Sequence, residues 1–297
     1  MAAPRAGSSG VRVLTRAPSL GRTYVRSLVV PRDPGALDLP RRAVELRGVR
    51  PDAERVAAFA RLCGFPLRDE LPLPFPHLLG FGLQVDLLVS EAFPFRLLGL
   101  VHVRQEFEQQ RPVGAGEPID VRVRATALRP HRRGVTVDLV TEVRPAGEDG
   151  APVWRGLSRY LARGATFPGS PQPAPAALPA PEGPGALWRL PADLGRRFAG
   201  VSGDKNPLHL SALSARALGF RRALAHGMWT ASHSLASLAG HPPGAGRFAV
   251  EFAAPVLLPS TVVHVVREGD VDGRPGWSTA VRSRDGRLHL TGRFEPR

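Results

Sequence analysis

The chain has a single cysteine, Cys63, and a single lysine, Lys205, among its 297 residues. One cysteine excludes a disulfide within the chain and any zinc site built from several cysteines. No stretch of the sequence approaches the roughly 20 apolar residues that a membrane-spanning helix requires. Cys63 lies on the apolar side of a predicted helix in VAAFARLCGF (56–65). We therefore interpret it as a packing residue and not as a nucleophile.

Acidic residues are in the minority, with 26 against 40 basic residues and a net charge of +14. The arginines are scattered singly, as in VRVRATALRPHRRG (121–134), and do not gather in one run with aromatic stacking residues. This pattern argues against a nucleic-acid partner. A positive surface would still attract an anionic, phosphate-bearing substrate.

The start of the chain has no acidic residue before Asp33. An arginine-rich start without acids is also typical of an organellar transit peptide. Because arginine is equally common elsewhere in the chain, we favour a cytoplasmic protein of bacterial type. We expect residues 1–18 to be partly disordered and residues 19–30 to pack on the first domain.

A proline-rich stretch, FPGSPQPAPAALPAPEGPG (167–185), divides the chain into two parts of comparable size. Its seven prolines exclude a helix or a central strand and predict an extended linker. The chain is long enough for two domains. We predict an N-terminal domain over residues 1–166 and a C-terminal domain over residues 186–297.

Both parts repeat one pattern of predicted elements, a long helix followed by four strands. In the second part the helix is predicted at 225–240 and the strands at 246–258, 260–270, 276–283 and 287–296. In the first part the helix is predicted at 76–90 and the strands at 98–113, 118–129, 134–145 and 152–163. Further elements are a strand at 43–49 and helices at 51–65, 187–203 and 211–220. Runs of strands after helices predict the α+β class.

The stretch SGDKNPLH (202–209) places an acid, an amide and an imidazole around a proline turn. Asp204 and His209 are five residues apart, so the turn can bring both side chains to one water molecule. An isolated aspartate before a helix is usually a cap, and an isolated histidine is more often a core residue. With Asn206 between them, the combined pattern favours acid–base catalysis. The sequence does not say which of the two is the base.

A second stretch, AHGM (225–228), opens the long helix of the second part. The start of a helix offers free N–H donors and a favourable dipole, and Gly227 lets a ligand approach the backbone closely. We therefore predict that the Gly227 N–H is an oxyanion donor. His226, Met228 and Lys205 are candidates for substrate contact. For His226 we favour the alternative of packing at the helix start.

These residues carry a family resemblance. The stretches FAGVSGDKNPLHLSALSARALGF (198–220) and ALAHGMW (223–229) closely resemble the MaoC-like (R)-specific enoyl-thioester hydratases and dehydratases. The aromatic residue, the S-G-D-x-N-P-[IL]-H motif, the Gly-Phe pair and the A-H-G-M helix start are all present. Ser211 stands where many members carry an acid, and serine can cap a helix equally well. The stretch LPFPHLLGFGL (73–83) is similar to the degenerate first repeat of two-repeat members.

The resemblance implies a double hot-dog fold, in which each repeat wraps a long antiparallel sheet around a central helix. It implies that Asp204 and His209 form the catalytic dyad and that Gly227 serves the oxyanion. Three residues would support or orient the dyad: Ser202, Gly203 and Asn206. The implied reaction is reversible hydration of trans-2-enoyl thioesters to (R)-3-hydroxyacyl thioesters, carried on coenzyme A or acyl carrier protein, without a metal or other cofactor.

Two alternatives remain within the same fold, a hot-dog thioesterase and a non-catalytic partner subunit. The intact motif counts against both. His77 and His102 in the first part have no acid nearby in sequence, so we interpret them as structural and expect one site per chain. The central helix of the first repeat would then line the acyl pocket. The chain would be a pseudo-dimer by itself, and the sequence leaves open whether two chains form a homodimer.

Overall fold

A computed structural model describes residues 10–21, 23, 38–171, 177–238, 244–271 and 274–297. The helices are α1 (Ala53–Cys63), α2 (Phe75–Leu88), α3 (Leu194–Ser202), α4 (Pro207–Leu210), α5 (Ala212–Ala217) and α6 (Gly227–Ala236). The strands of the first repeat are β1 (Val11–Leu14), β2 (Ala43–Val49), β3 (Leu100–Gln109), β4 (Ile119–His131), β5 (Gly134–Pro145) and β6 (Trp154–Arg163). Those of the second repeat are β7 (Ala186–Leu190), β8 (Gly246–Phe252), β9 (Ser260–Val271), β10 (Arg274–Ser283) and β11 (Leu288–Pro296).

All the strands form one sheet in the order β1-β2-β4-β5-β6-β3-β8-β11-β10-β9-β7. Read outward from the centre, the first repeat runs β3-β6-β5-β4-β2 and the second runs β8-β11-β10-β9-β7, so the two repeats have the same topology. They join where β3 and β8 pair antiparallel, with Phe107 opposite Phe248. Helix α2 packs on β2, β4 and β5, and helix α6 packs on β8, β10 and β11. The predicted α+β class and the two central helices are confirmed.

The two repeats share one hydrophobic core. A single cluster of buried residues includes Phe59 and Phe107 of the first repeat with Phe198 and Phe248 of the second. The rings of Phe59 and Phe198 lie 6.3 Å apart across the junction of α1 and α3. The two parts are therefore packed as one unit around the elements that carry the site. No described helix is long and apolar enough to cross a membrane.

Helix α1 illustrates how the sequence specifies these elements. Asp52 caps its start by accepting the Arg55 N–H at 2.8 Å, and Gly64 ends it with φ of +85°. The side chains of Val56, Phe59, Ala60 and Cys63 are buried, which is the spacing of one helix face. Burial also raises the pKa of the Cys63 thiol, so the packing role predicted for this residue is confirmed.

The structure differs from the sequence predictions at two places. Residues 187–203 were predicted as a helix, but 186–190 form β7 at the sheet edge, and α3 begins only at Leu194. Pro191 ends the strand before the helix starts, because its nitrogen cannot donate to a sheet. Within residues 1–18, Val11–Leu14 is not disordered but forms β1, which pairs parallel with β2.

The predicted packing segment 19–30 lies mostly outside the described residues. Its described Leu20 lies against Gly203 of the second repeat. In the predicted linker, the described residues 167–171 and 177–185 contain no helix or strand. The carbonyl groups of Glu182 and Ala180 accept hydrogen bonds from Arg267 and Arg282, at 2.9 and 3.3 Å. The end of this segment is thus held on the second repeat.

Candidate active site

The loop after α3 is folded around Asp204. The helix ends at Gly203, whose φ of +81° is a left-handed conformation that favours glycine. The Ser202 hydroxyl accepts the Asp204 N–H at 3.1 Å. The Asp204 carboxylate in turn accepts the Asn206 N–H through Oδ1, also at 3.1 Å. The aspartate is therefore held by the hydrogen bonds of its own turn.

His209 follows on the short helix α4. The Asn206 side chain caps this helix by accepting the Leu208 N–H at 3.2 Å. The His209 Nδ1 atom lies 2.9 Å from the carbonyl oxygen of Leu224. A carbonyl can only accept, so Nδ1 carries the proton. In the neutral imidazole, Nε2 is then unprotonated and able to accept a proton.

His226 contacts both Asp204 and His209. Its Nε2–H donates to the carbonyl oxygen of Asp204 at 3.0 Å and lies 3.8 Å from the Asp204 Oδ2. Its ring stacks on His209 with centroids 3.6 Å apart and planes 25° apart. Burial, with a smaller contribution from the neighbouring His209, lowers the pKa of His226 to about 3, although Asp204 opposes the shift. His226 is therefore neutral at physiological pH and packs at the helix start, which is the alternative that we favoured.

The ligand-type atoms of Asp204, His209 and His226 all lie within 4.8 Å of one another, so we tested the cluster as a metal site. Imidazole nitrogens bind a metal along lone pairs in the ring plane, at about 2.0–2.1 Å for zinc. Because the two rings are stacked and nearly parallel, their in-plane lone pairs do not converge on one ion. The arrangement favours proton transfer over metal binding.

The start of α6 lies beside the dyad, since His226 precedes Gly227 at its first position. The first hydrogen bond of the helix runs from the Thr230 N–H to the His226 carbonyl, at 3.2 Å. Within the described part of the chain, the Gly227 N–H has no acceptor and is available to a ligand. On its Cα side Gly227 faces the Phe252 ring, because a Cβ added at this position would lie 3.0 Å from that ring.

The remaining candidates have three different environments. Met228 is 8% exposed and belongs to the shared core, so its side chain packs against protein. Lys205 is exposed to solvent at the outer edge of the turn. Ser202 is buried and acts through its hydrogen bond to the Asp204 N–H.

One residue that the sequence analysis missed is Gly195 in α3. A Cβ at this position would collide with the carbonyl oxygen of His209. The glycine therefore allows α3 to pack directly against the backbone of His209. A lone glycine in an amphipathic helix gives little signal, because the contact depends on a neighbour that only the fold reveals.

Two histidines of the first repeat border this site. The His102 ring lies 4.9 Å from Phe252, which covers Gly227, and 4.7 Å from Tyr160. His77 lies 6.4 Å from His102. Burial lowers the pKa of His77 to about 3 and that of His102 to about 4, although the charge of Asp204 opposes both shifts. Both are neutral neighbours of the site, and no local pattern around His77 or His102 predicts that proximity.

Comparison with known proteins identifies the family of this chain. A family model described as a MaoC like domain matches residues 187–283. A protein of Mycobacterium tuberculosis named 3-hydroxyacyl-thioester dehydratase X is 38% identical over 265 residues, which cover 89% of this chain and 91% of the relative. The chain belongs to the MaoC-like dehydratase family.

Solved structures of MaoC-like dehydratases share the fold. The crystal structure of HtdX from Mycobacterium tuberculosis matches with a TM-score of 0.72 and 35% identity, covering 86% of this chain and 100% of that chain. A MaoC-like dehydratase from Phytophthora capsici has a TM-score of 0.71 at 17% identity, covering 88% of this chain and 96% of that chain. The double hot-dog fold implied by the motif is confirmed.

Proposed function

We propose that this protein is a carbon–oxygen lyase that reversibly hydrates trans-2-enoyl thioesters to (R)-3-hydroxyacyl thioesters. The observation that carries the proposal is the orientation of His209. Its Nδ1–H is held by the Leu224 carbonyl, so Nε2 is the ring nitrogen left to exchange a proton beside Asp204. The 38% identical relative named as a 3-hydroxyacyl-thioester dehydratase supports the same reaction class.

In the dehydration direction, the dyad formed by Asp204 and His209 moves one proton. The proton leaves C2 of the substrate for the dyad, and the C2 electron pair forms the double bond to C3 as the C3–O bond breaks. The dyad then returns a proton to the departing oxygen, which leaves as water. Hydration is the reverse sequence, so the same two groups serve as acid and base in both directions.

Removing the C2 proton places negative charge on the thioester oxygen. The Gly227 N–H at the start of α6 is suited to bind that oxygen, because the helix dipole also favours negative charge there. The Phe252 ring packed on Gly227 keeps water from the other side of this backbone. Exclusion of water strengthens a hydrogen bond to a developing charge.

The substrate would be carried on coenzyme A or on acyl carrier protein. Both present a phosphate, which fits a chain of net charge +14. The acyl group would extend from the dyad past Phe252 toward His102 and helix α2 of the first repeat, since these residues border the site. This path retains the prediction that α2 lines the acyl pocket.

The test is incubation of the purified protein with crotonyl-CoA and longer enoyl-CoAs. We expect loss of the conjugated enoyl absorbance, no release of free thiol, and a 3-hydroxyacyl product of R configuration by chiral chromatography. Free thiol release would favour the thioesterase alternative. No turnover of any chain length, on coenzyme A or on acyl carrier protein, would contradict the proposal and favour a non-catalytic role.

A further inference from the structure

Helix α1 belongs to the repeat that lacks the catalytic motif, yet it contacts both halves of the site. Near its start, Arg55 donates from Nε to the Val201 carbonyl at 2.7 Å and from Nη2 to the Ser202 carbonyl at 3.1 Å. Val201 and Ser202 are the last residues of α3, and Asp204 follows two residues after Ser202. One guanidinium of the first repeat thus holds the helix end from which the catalytic turn departs.

The other end of α1 contacts α6, which we call the oxyanion helix because it begins at the proposed oxyanion donor Gly227. The Leu62 carbonyl accepts the indole N–H of Trp229 at 3.0 Å, and the Cys63 carbonyl accepts the Nδ1–H of His233 at 2.8 Å. These carbonyls belong to the last turn of α1, where backbone carbonyl groups have no hydrogen-bond partner within the helix. Both donors lie on α6, whose first residue is Gly227.

The two ends of α1 are about 16 Å apart, at 1.5 Å per residue over its length. A helix of this size is stiff, so contacts at its ends fix the separation of the elements that they hold. The elements here are the turn with Asp204 and the helix start with Gly227. Their separation matters, because a 1 Å misplacement of catalytic groups can cost about 10²-fold in rate.

We propose that α1 is a brace that sets the distance between the acid–base turn and the oxyanion helix, and that Arg55 is the positioning residue for Asp204. The planar guanidinium reaches two successive carbonyls at once, which a lysine cannot reproduce. A cation at a helix C-terminus also complements the dipole of α3. The role in catalysis rests on the proposed function, whereas the role in holding the turn does not.

The main test is Arg55→Ala compared with Arg61→Ala, an exposed arginine on the same helix. With crotonyl-CoA we expect kcat to fall about 10- to 100-fold in Arg55→Ala, with KM changed less than about threefold, and no change in Arg61→Ala. Both arginines line a solvent-open groove between α1 and α3. Millimolar guanidinium can therefore enter, and we expect it to restore part of the kcat of Arg55→Ala only.

A second measurement keeps the brace testable without turnover. Hydrogen exchange of peptides over residues 198–210 should become faster in Arg55→Ala than in Arg61→Ala. If Arg55→Ala does not fold, Arg55→Gln retains one donor and is measured in its place. Trp229→Phe keeps the aromatic bulk but removes the bond to Leu62, and it should speed exchange over residues 226–236 instead.

Several outcomes would overturn the brace. They are full activity in Arg55→Ala, a loss confined to KM, a loss that guanidinium does not reverse, or unchanged exchange over residues 198–210. If the wild-type protein turns over no thioester while the exchange differences appear as expected, the proposed reaction fails and the brace stands. If turnover occurs but exchange is unchanged, the brace alone fails.

Discussion

The two repeats share a strand order but differ in the segment between their two helices. In the first repeat, residues 64–74 connect α1 directly to α2. In the second, residues 203–226 connect α3 to α6, a segment about twice as long that contains α4 and α5. The longer connection carries Asp204, Asn206 and His209. Under the proposed function, the catalytic difference between the repeats is therefore concentrated in one connection of an otherwise common strand order.

The central helices differ at their first turns as well. In α2 the Phe75 N–H already donates to the Pro72 carbonyl at 2.7 Å, and Pro76 has no N–H to offer. In α6 the corresponding first position is Gly227, whose N–H is available to donate a hydrogen bond to a ligand. The described first turn of α2 therefore offers no counterpart to the Gly227 N–H, and we propose that the first repeat contributes α1 and the packing around His102.

The largest expected effect comes from the long connection. Asp204→Asn and His209→Gln each remove one member of the dyad and should lower kcat for crotonyl-CoA about 10²- to 10⁴-fold. As matched controls, Asp149→Asn in the connection after β5 and His131→Gln at the end of β4 should retain wild-type rates. Equal losses in a control and its partner variant would show that the comparison between the repeats is wrong.

The second effect concerns the first turn of α6. Gly227→Pro places a proline in the first turn of α6, as Pro76 stands in the first turn of α2, and removes the proposed N–H donor. Proline is well tolerated at a first helical position. His226 already has φ of −66° and ψ of 133°, which suits a residue before proline. We expect kcat to fall about 10²- to 10³-fold. Gly227→Ala introduces the crowding with Phe252 but keeps the N–H, and a similar loss there would argue against the donor.

The third effect concerns the packing of α3 under His209. Gly195→Ala forces a Cβ into the His209 carbonyl and should lower the free energy of unfolding by about 1–3 kcal/mol, together with kcat. Gly200→Ala on the same helix meets no atom within 4 Å and should raise the free energy of unfolding by up to about 1 kcal/mol. Urea denaturation and crotonyl-CoA kinetics measure both. If the two variants behave alike, this contact has no special role.

The last effect concerns only the pH dependence of the free energy of unfolding, and it involves buried histidines, which both repeats contain. Burial lowers the pKa of His264 to about 3, below its unfolded value of about 6.5. As pH falls from 6.5 toward 3, the unfolded chain takes up a proton that the folded chain does not, so stability is lost in this window. His264→Gln should make the pH dependence shallower by about 1.4 kcal/mol per unit. Urea denaturation between pH 7.5 and 4.5 measures the slope, and an unchanged slope contradicts the assignment.

Much of the fold was predictable because many strands and helices show a clear hydrophobic periodicity and are bounded by turn residues. Strands β2 and β5 match the predicted 43–49 and 134–145. The boundary error at β7 arose because Leu190 continues the apolar spacing of the next helix by coincidence. Strand β1 was missed because a four-residue edge strand carries little pattern, and its formation depends on pairing with β2.

For the candidate site, the sequence predicts the proximity of residues that are contiguous in the chain. Asp204, Asn206 and His209 belong to one turn, whose local hydrogen bonds hold them together. Contacts between distant segments could not be predicted, since no local signal joins Arg55 to Val201 or His102 to Phe252. Those contacts depend on how the two repeats pack together.

The central claim is that one chain holds one site, located in the second repeat and braced by the first. Isothermal titration calorimetry of the slow Asp204→Asn variant with crotonyl-CoA tests this claim most directly. We expect one bound thioester per chain, and competition by the hydrated product at the same site. Two equivalent sites per chain, or no competition by the hydrated product, would contradict the account.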